Sequence, residues 1–315
     1  MLWSLRLVVG LSSIAICGTK EHVARQVIVV MQHTEPKIQL VDIDDNGHAM
    51  VATPADVSIT VPDDKTEGGS LIWTGTKLYY VGERKVEVLA ESGRWTATET
   101  KLNVERTHPS VTYQREHNLL VVCGCHYPGS CSQSCEYRDA SDDTGDWTLL
   151  RPGSGSWPVG YDAAVVSHRS KIVIIGGFDF VTQEPGKTAM SYDFTTKQWM
   201  KLAHLIIDRP FSPGVIVDGD ALVACGGVDF ETCERYDMAT DRWALIRETR
   251  MPLLNIRDQM FQLGTYWVVL GGTDSDHNTN KHVYVAAKPT GTASINALSL
   301  GTVVCSIAVL TRPIH

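Results

Sequence analysis

The sequence contains no segment with a sustained helical period of about 3.6 residues, so nothing in it predicts a long amphipathic helix. It also has no basic cluster: 28 Lys and Arg against 36 Asp and Glu give a net charge of −8 over 315 residues. That balance argues against nucleic acid as a partner. A Gly-rich phosphate loop, a metalloprotease helix motif and a nucleophile elbow are all missing, and no cofactor or metal is predicted.

What the chain has is an internal repeat with a period of about 50 residues. Two copies contain a Gly pair, then Tyr-Asp, then Trp, and a later copy keeps only the Gly pair and Tyr284. In the two full copies the spacing from Tyr192 to Trp199 equals that from Tyr236 to Trp243. Fainter copies upstream bring the number of apolar runs to six, at 27–30, 78–81, 119–123, 172–175, 221–225 and 266–270.

These runs are short and rich in Val, Ile and aromatic residues, which is typical of buried β-strands, and an all-β chain is predicted. The pattern resembles the kelch repeat, in which four antiparallel strands form one blade of a β-propeller, as in the central domain of galactose oxidase. The resemblance implies that the Gly pair ends the second strand, the Tyr marks the third, and the Trp starts the fourth and fills the wedge between blades. A β-sandwich with chance Gly pairs is the alternative.

Six copies predict a six-bladed kelch-type propeller. The first copy lacks an innermost strand of its own, and segment 302–310 is predicted to supply it and so close the array. The expected organisation is a signal peptide at 1–17 and one propeller over 18–315, with blades near 23–60, 70–105, 110–155, 161–205, 213–250 and 260–295 and a closing strand or anchor signal at 297–310.

The two ends of the chain bear on its location. Residues 1–6 carry one positive charge, residues 7–16 are largely apolar, and small residues precede Gly18, as in a secretory signal. The apolar stretch 298–310 also has the features of a lipid-anchor signal or a short transmembrane helix, in which case the membrane would be a partner. We predict a secreted or cell-surface protein.

Seven cysteines follow the predicted signal, and two repeat copies each place a pair on neighbouring strands. The spacing predicts disulfides Cys123–Cys135 and Cys225–Cys233, with Cys125–Cys131 closing the intervening loop. A zinc site built from the first four of these cysteines is the alternative. Cys305 is left over and is expected to be buried and inert.

The candidate binding residues are Arg106, Arg209 and Arg257, each placed several residues before the first strand of the next blade. The kelch resemblance implies that they converge near a central pocket, where guanidinium groups would suit an anionic ligand. The alternative is structural, in which each Arg bonds loop carbonyls or a neighbouring acid. Asp179, Asp229 and Asp274 follow the Gly pairs at one offset, which favours turn stabilisation over a cation site.

The predicted function is a binding module that recognises a protein or glycan through this end of the blades, and an enzyme is not favoured. Galactose oxidase resembles the chain in architecture, but no paired His ligands for copper occur at matching positions. Two alternatives remain: a sialic-acid mutarotase or epimerase, and an intracellular ubiquitin-ligase substrate adaptor of the kind found among kelch proteins.

Overall fold

The structure is a computed structural model. It describes the backbone over residues 27–32, 38–43, 49–52, 69–90, 94–125, 131, 133–151, 162–179, 184–227, 232–246, 256–263, 266–273, 282–287, 295–299 and 304–310. Side-chain environments are described within these ranges from 69 to 178 and from 186 to 246, and for Met260, Gln262 and Trp267. The predicted signal peptide at 1–17 and the small residues near 291–294 lie outside the described residues.

The described residues form strands and turns, as expected of an all-β chain, and none of them is helical. No helix that is long and apolar enough to cross a membrane occurs in this part of the chain. The strands assemble into four-stranded antiparallel sheets, an arrangement consistent with the kelch propeller.

Apart from the first, each four-stranded sheet is a meander whose strands follow one another in chain order, with a separate two-stranded hairpin inserted in the fourth. The first holds β1 (Val27–Gln32), β2 (Ile38–Ile43), β3 (Ala49–Ala52) and the C-terminal strand β26 (Val304–Leu310). The second holds β4 (Ser70–Trp73), β5 (Leu78–Gly82), β6 (Lys85–Leu89) and β7 (Trp95–Ala97). The third holds β8 (Ser110–Gln114), β9 (Leu119–Cys123), β10 (Cys135–Asp139) and β11 (Thr148–Leu150).

The fourth sheet holds β12 (Ala164–His168), β13 (Lys171–Ile175), β16 (Ala189–Asp193) and β17 (Gln198–Lys201), with the small hairpin β14 (Phe178–Asp179) and β15 (Glu184–Pro185) inside its long loop. The fifth holds β18 (Gly214–Asp218), β19 (Ala221–Cys225), β20 (Cys233–Asp237) and β21 (Arg242–Ile246). The sixth holds β22 (Ile256–Leu263), β23 (Tyr266–Thr273), β24 (His282–Ala287) and β25 (Ile295–Ser299).

The Tyr and Trp of the repeat lie opposite each other on the outer two strands of a sheet. Tyr192 is in register with Trp199, and Tyr236 with Trp243. In both pairs the ring centroids are 4.9 Å apart. The equal sequence spacing of the two copies therefore reflects an equal register, because residues directly opposite in an antiparallel pair share one face.

Apolar clusters fill the space between successive sheets, and the repeat Trp lies within them. Trp147 of the third sheet packs with Tyr79, Val81 and Leu102 from the second sheet and the connection that follows it. Trp243 of the fifth sheet belongs to a cluster with Val173 of the fourth. The Trp of one sheet thus packs against the sheet before it, as the resemblance implied.

The sixth copy departs from the expected register. Tyr192 and Tyr236 each face the residue four positions before the first Gly of the pair, Ile172 and Leu222. Tyr284 instead faces Val269, only two positions before Gly271. Tyr284 is therefore not equivalent to the other two tyrosines, which is consistent with the absence of a following Asp and Trp in this copy.

The two ends of the described chain meet in the first sheet. Strand β26 pairs antiparallel with β1, from Val27 opposite Leu310 to Gln32 opposite Val304. This is where the sequence predicted a C-terminal strand for the first sheet. Along the rest of the chain the first strands of successive sheets are neighbours: β4 contacts β8, β8 contacts β12, β12 contacts β18 and β18 contacts β22, while β26 contacts β4 and β23.

Candidate functional site: the arginine connections

The site of interest is the end of the sheets where each second strand stops and where the connection from one sheet enters the next. We call it the loop face and define it by Gly124, Gly176 and Gly226, which follow β9, β13 and β19, and by Arg106 and Arg209 in two connections. The first strands start at this end as well. The opposite end carries the turns between first and second strands and between third and fourth strands.

The Gly pair allows the connection to approach the end of the second strand closely. Gly227 has a φ of +99°, and a Cβ atom there would lie 2.9 Å from the Cα of Arg209. The Gly177 amide donates to the Arg209 carbonyl at 3.0 Å, and the Arg209 amide donates to the Gly186 carbonyl at 3.1 Å. A side chain in place of Gly227 would therefore displace the segment that carries Arg209.

Arg106 is fully buried and uses its guanidinium to join the ends of two strands. Its Nη1 donates to the carbonyls of Gly124 at 3.2 Å, Cys131 at 2.9 Å and Ser134 at 2.9 Å. Its Nε and Nη2 donate to the Oε1 of Glu136 at 3.1 and 3.0 Å, and both side chains of this ion pair are 0% exposed. The arginine therefore holds both sides of the β9–β10 loop at its base.

Arg209 repeats this arrangement in the fifth sheet. Its Nε donates to Glu234 Oε1 at 3.0 Å, its Nη1 donates to the Gly226 carbonyl, and its Nη2 donates to the Thr232 carbonyl at 3.2 Å. Both side chains of the Arg209–Glu234 pair are again 0% exposed. We call each of these sets, the arginine with its glutamate and its loop carbonyls, an arginine clamp.

The glutamate of each clamp also binds the backbone of the incoming connection. Glu136 accepts hydrogen bonds from the amides of Asn103 at 2.6 Å and Val104 at 3.1 Å. Glu234 does the same with Ile206 at 2.6 Å and Ile207 at 3.2 Å. One buried carboxylate thus satisfies an arginine and two amides, which is the full pairing that a buried charge needs.

Burial and the ion pair have opposite effects on the pKa of the Arg106 guanidinium. Removal from water lowers the pKa of its guanidinium, and the adjacent Glu136 carboxylate raises it. An arginine starts from so high a pKa that it keeps its proton under these opposing effects. The clamp is therefore an ion pair at neutral pH.

The geometry thus gives Arg106 and Arg209 the structural role that the sequence left open. Direct contact of these arginines with a ligand stays a prediction. Arg257 differs from expectation in its position: it is the second residue of β22, within the first strand of the sixth sheet and not in the connection before it. The side chain of Arg257 lies outside the described residues.

Three disulfides occur among the described residues: Cys123–Cys135, Cys125–Cys131 and Cys225–Cys233. These are the pairs that the sequence predicted. Cys123 lies opposite Cys135 in the β9–β10 pair, and Cys225 lies opposite Cys233 in the β19–β20 pair. Each of these two bridges therefore sits next to a clamp, since Glu136 and Glu234 follow the bridged cysteine of the third strand.

Removal of the Cys225–Cys233 bridge is expected to lower the stability of the protein measurably. The variant Cys225→Ala/Cys233→Ala should lower the free energy of unfolding by about 2–3 kcal/mol, because it releases a short loop in the unfolded chain. Urea unfolding of the oxidised protein measures the change. A peptide map without reductant provides the control, since the other two bridges should be unchanged; finding Cys225 or Cys233 free in the wild type would contradict the pairing.

The predicted acid positions are only partly described. Asp179 lies in β14, where its backbone pairs with Glu184, while Asp229 and Asp274 lie outside the described residues. The neighbouring Phe178 is half-buried. Among the described residues, no group of three or more His, Cys, Asp or Glu side chains is placed to hold a metal ion.

Sequence reasoning missed the two clamp glutamates. The sequence did contain a signal for them: in the third and fifth copies, the third strand begins with Cys-Glu, at Cys135-Glu136 and Cys233-Glu234. Two copies that share an Arg in the connection also share this Glu. Matching the two features would have paired Arg106 with Glu136 and Arg209 with Glu234.

Comparison with known proteins agrees with this architecture. A family model described as the kelch motif matches residues 160–205, a range that includes the whole fourth sheet. The chain is 25% identical over 171 residues to an F-box/kelch-repeat protein of Arabidopsis thaliana, covering 52% of this chain and 45% of that protein. It is 29% identical over 112 residues to a kelch repeat and BTB domain-containing protein of Caenorhabditis elegans, covering 33% of this chain and 19% of that protein.

The kelch-motif match and the similarity to two kelch-repeat proteins support a kelch-repeat family for this chain. Its aligned part spans less than half the length of both relatives.

Proposed function

We propose that this chain is a six-bladed kelch propeller, closed by β26, that binds a partner protein through its loop face. The observation that supports the closed array most directly is the sequence of neighbours along the first strands, together with the pairing of β26 with β1 and its contact with β4. A ring of sheets leaves no first or last sheet with an open inner edge. Kelch repeats are in general protein-binding modules, and the fold alone does not name the partner.

The loop face is the proposed binding surface because the two arginine clamps hold the bases of its loops rigid. Arg106 and Arg209 hold the bases of two loops through carbonyls on both sides. Loops on a rigid base are well suited to recognition, since less conformational freedom is lost on binding. In this proposal Arg106 and Arg209 are positioning residues, and Arg257 remains a candidate for direct contact with an anionic group on a protein or glycan.

We further propose that the protein is exported. Three disulfides support this location, because such bonds persist in oxidising compartments and are rare in the cytosol. An N-terminus beginning near Gly18 in protein recovered from the culture medium would agree with export. A retained Met1 in cytosolic protein with free Cys225 and Cys233 would reject it.

The second candidate is an intracellular adaptor that holds a substrate for another protein. It is favoured by the names of the two relatives, which combine kelch repeats with an F-box or a BTB domain. The two candidates share the loop face as the binding surface and differ in compartment. The location experiment above therefore separates them.

A matched pair of charge reversals tests the loop face. Lys187 lies just before β16 at the loop face, and Lys197 lies in the turn after the same strand at the opposite end; both are charged side chains of the fourth sheet. Lys187→Glu is expected to weaken binding about ten-fold, and Lys197→Glu to leave it nearly unchanged. The measurement is biolayer interferometry with the partner protein that the wild-type chain captures by crosslinking.

Arg257→Ala is expected to behave as Lys187→Glu does if Arg257 contacts the partner directly. Weakening by Lys197→Glu without any effect of Lys187→Glu or Arg257→Ala would move the binding surface to the opposite end of the sheets and reject the proposal.

A further inference from the structure

Two buried side chains connect neighbouring sheets at the end opposite the loop face. Gln114 is the last residue of β8, and its Nε2 donates to the carbonyl of Arg169 in the β12–β13 turn. His168 is the last residue of β12, and its ring is hydrogen-bonded to the backbone of Gly219 in the β18–β19 turn. We call these the turn contacts: the first joins the third and fourth sheets, and the second joins the fourth and fifth.

The two turn contacts are equivalent in the repeat. Each donor is the last residue of a first strand, and each acceptor follows the last residue of the next first strand. Arg169 follows His168, and Gly219 follows Asp218. Both acceptors have a left-handed backbone, with φ of +51° at Arg169 and +64° at Gly219. One position of the repeat therefore makes the same contact twice, once with an amide and once with an imidazole.

The amide and the imidazole differ in whether they titrate. Gln114 is 0% exposed and His168 is 7% exposed, so both donors are buried. A glutamine amide keeps its charge state at any ordinary pH, whereas an imidazole gains a proton near neutrality. The Gln114 amide is also fully used, since its Oε1 accepts from the His117 amide at 2.7 Å. Acid can therefore change the second turn contact and not the first.

The contact made by His168 requires the neutral ring. Its Nδ1 is buried and has no hydrogen-bond partner among the described residues, so Nε2 is the nitrogen that donates to Gly219. A neutral imidazole with its proton on Nε2 fits this environment, because Nδ1 then needs no acceptor. Protonation would place a second N–H at Nδ1. A buried donor without an acceptor costs free energy, since its hydrogen bond to water is lost.

The surroundings oppose a positive charge on this ring. Burial is the main cause that lowers the pKa of His168, and the neighbouring Arg169 cation lowers it further. Asp220, the hydrogen bond to Gly219 and Glu116 act in the other direction on this pKa. Asp220 and Glu116 are both exposed, so solvent weakens their attraction for an imidazolium.

Other charged and titratable groups lie in the hairpins that pack around His168. They are Arg115, Glu116 and His117 in the β8–β9 turn, Arg169 and Lys171 in the β12–β13 hairpin, and Asp218 and Asp220 in the β18–β19 hairpin. Several are already paired. Arg169 Nη2 lies 2.6 Å from Asp220 Oδ1, and Asp218 Oδ2 lies 2.8 Å from Nη1 of Arg235. The cation nearest in the chain, Arg169, therefore comes with its own anion at the surface.

We propose that His168 makes the contact between the fourth and fifth sheets sensitive to acid. At neutral pH the uncharged ring donates from Nε2 to the Gly219 carbonyl and holds the β18–β19 turn against β12. In acid the ring gains a proton at Nδ1, turns toward water and releases that turn. The contact made by Gln114 does not titrate, so the loosening is confined to one interface. This property is independent of the function proposed for the loop face.

Urea unfolding of the oxidised protein at about pH 7.5 and about pH 5 tests the proposal. Because the pKa of His168 is lower in the folded protein than in the unfolded chain, the unfolded chain binds more protons and stability falls as the pH falls. The wild-type midpoint is therefore expected to drop on acidification. His168→Gln should drop less, since it installs the side chain of the other turn contact. Gln114→His should drop more than the wild type. All other titrating groups are common to the three proteins.

Two measurements locate the effect at His168. In an NMR titration, the imidazole signal that is missing from His168→Gln should have its midpoint below about 6.5, the ordinary value for histidine. Hydrogen exchange of the β12 and β18 amides, corrected for the intrinsic effect of pH, should be several-fold faster in acid for the wild type than for His168→Gln.

Three results would overturn the proposal. They are an equal fall in the midpoints of wild type and His168→Gln, a folded-state titration of His168 at or above the ordinary value, and exchange at β12 and β18 that does not depend on residue 168. If His168→Gln does not fold, selective labelling of the histidines assigns the ring signal, and Gln114→His replaces it in the unfolding comparison. An acid dependence of Gln114→His no larger than that of the wild type would then reject the proposal.

Discussion

Replacing Arg209 by alanine is expected to lower the free energy of unfolding by about 3–5 kcal/mol, one of the two largest effects we expect. The substitution leaves Glu234 as a carboxylate that is 0% exposed and has lost its cation. It also leaves the carbonyls of Gly226 and Thr232 without the hydrogen bonds that the guanidinium donates to them. Urea unfolding of the oxidised protein measures the loss.

The adjacent ion pair Arg235–Asp218 provides the control. Its Nη1–Oδ2 distance is 2.8 Å, similar to that of the clamp, but its side chains are 47% and 17% exposed. Arg235→Ala should therefore cost about 1 kcal/mol or less, since solvent screens an exposed pair. If the two substitutions lowered the free energy of unfolding equally, burial of the clamp would not determine how much it stabilises the protein.

A double-mutant cycle separates the ion pair from its surroundings. Arg209→Ala/Glu234→Ala should be less destabilised than the sum of the two single variants, because the second substitution removes the unpaired charge. It should not return to wild-type stability, since the amides of Ile206 and Ile207 also lose their acceptor. Strict additivity would contradict a direct interaction between the two side chains.

Because Arg209→Ala is expected to destabilise the protein, it is a poor test of binding at the loop face. A loss of binding in Arg209→Ala has two causes that the variant cannot separate: loss of a ligand contact and loss of loop anchoring. Lys187→Glu and Lys197→Glu reduce this problem, because Lys197 is exposed and the Lys187–Asp208 pair is 43% and 42% exposed, so its loss should cost little stability. The clamp variants are therefore measures of stability, and the charge reversals are measures of recognition.

The strand pattern and the disulfides could be predicted because they depend on local spacing. Gly, Tyr and Trp recur at positions that a four-stranded meander fixes relative to one another. Side chains alternate with a period of two, so residues at equal distances from the turn face each other. Cys225 opposite Cys233 and Tyr236 opposite Trp243 both follow from this counting.

The partners of the arginines could not be predicted in the same way. Arg106 and Glu136 are separated by 30 residues, and Arg106 lies in a connection while Glu136 lies in the third sheet, so their contact depends on how the connection packs on that sheet. Counting within a repeat gives no such information. The predicted equivalence of Tyr284 to the other repeat tyrosines was wrong for a related reason. No Asp or Trp follows Tyr284, and a single aromatic residue does not determine which residue of β23 lies opposite it.

The exposure of Met200 could not be predicted from the sequence, because exposure depends on how neighbouring sheets pack. Met200 and Leu202 are both apolar and lie on one side of the strand, yet Leu202 is 7% exposed and Met200 is 49% exposed. Their sequence environment does not distinguish them. What separates them is packing against the neighbouring sheet, since Leu202 belongs to one cluster with Trp243 and Met200 does not.

Trp243→Ala is the second substitution with a large expected effect, a loss of about 3–5 kcal/mol in the free energy of unfolding. The indole is 8% exposed and fills the wedge between the fourth and fifth sheets, where it packs in one cluster with Val173, Leu202 and Leu222. Alanine leaves a cavity between two sheets that are held apart by their other contacts, so the wedge cannot fully collapse. Urea unfolding again measures the loss.

Phenylalanine at the same position separates packing from hydrogen bonding. Trp243→Phe keeps much of the apolar volume but removes the Nε1 donor to the Ala203 carbonyl. Trp147 provides the matched control, because it is 6% exposed in the wedge between the second and third sheets and its Nε1 has no hydrogen-bond partner among the described residues. Trp243→Phe should therefore cost about 1 kcal/mol more than Trp147→Phe. Equal costs would mean that the indole stabilises the wedge by its volume alone, and a negligible cost of Trp243→Ala would contradict its place in the wedge.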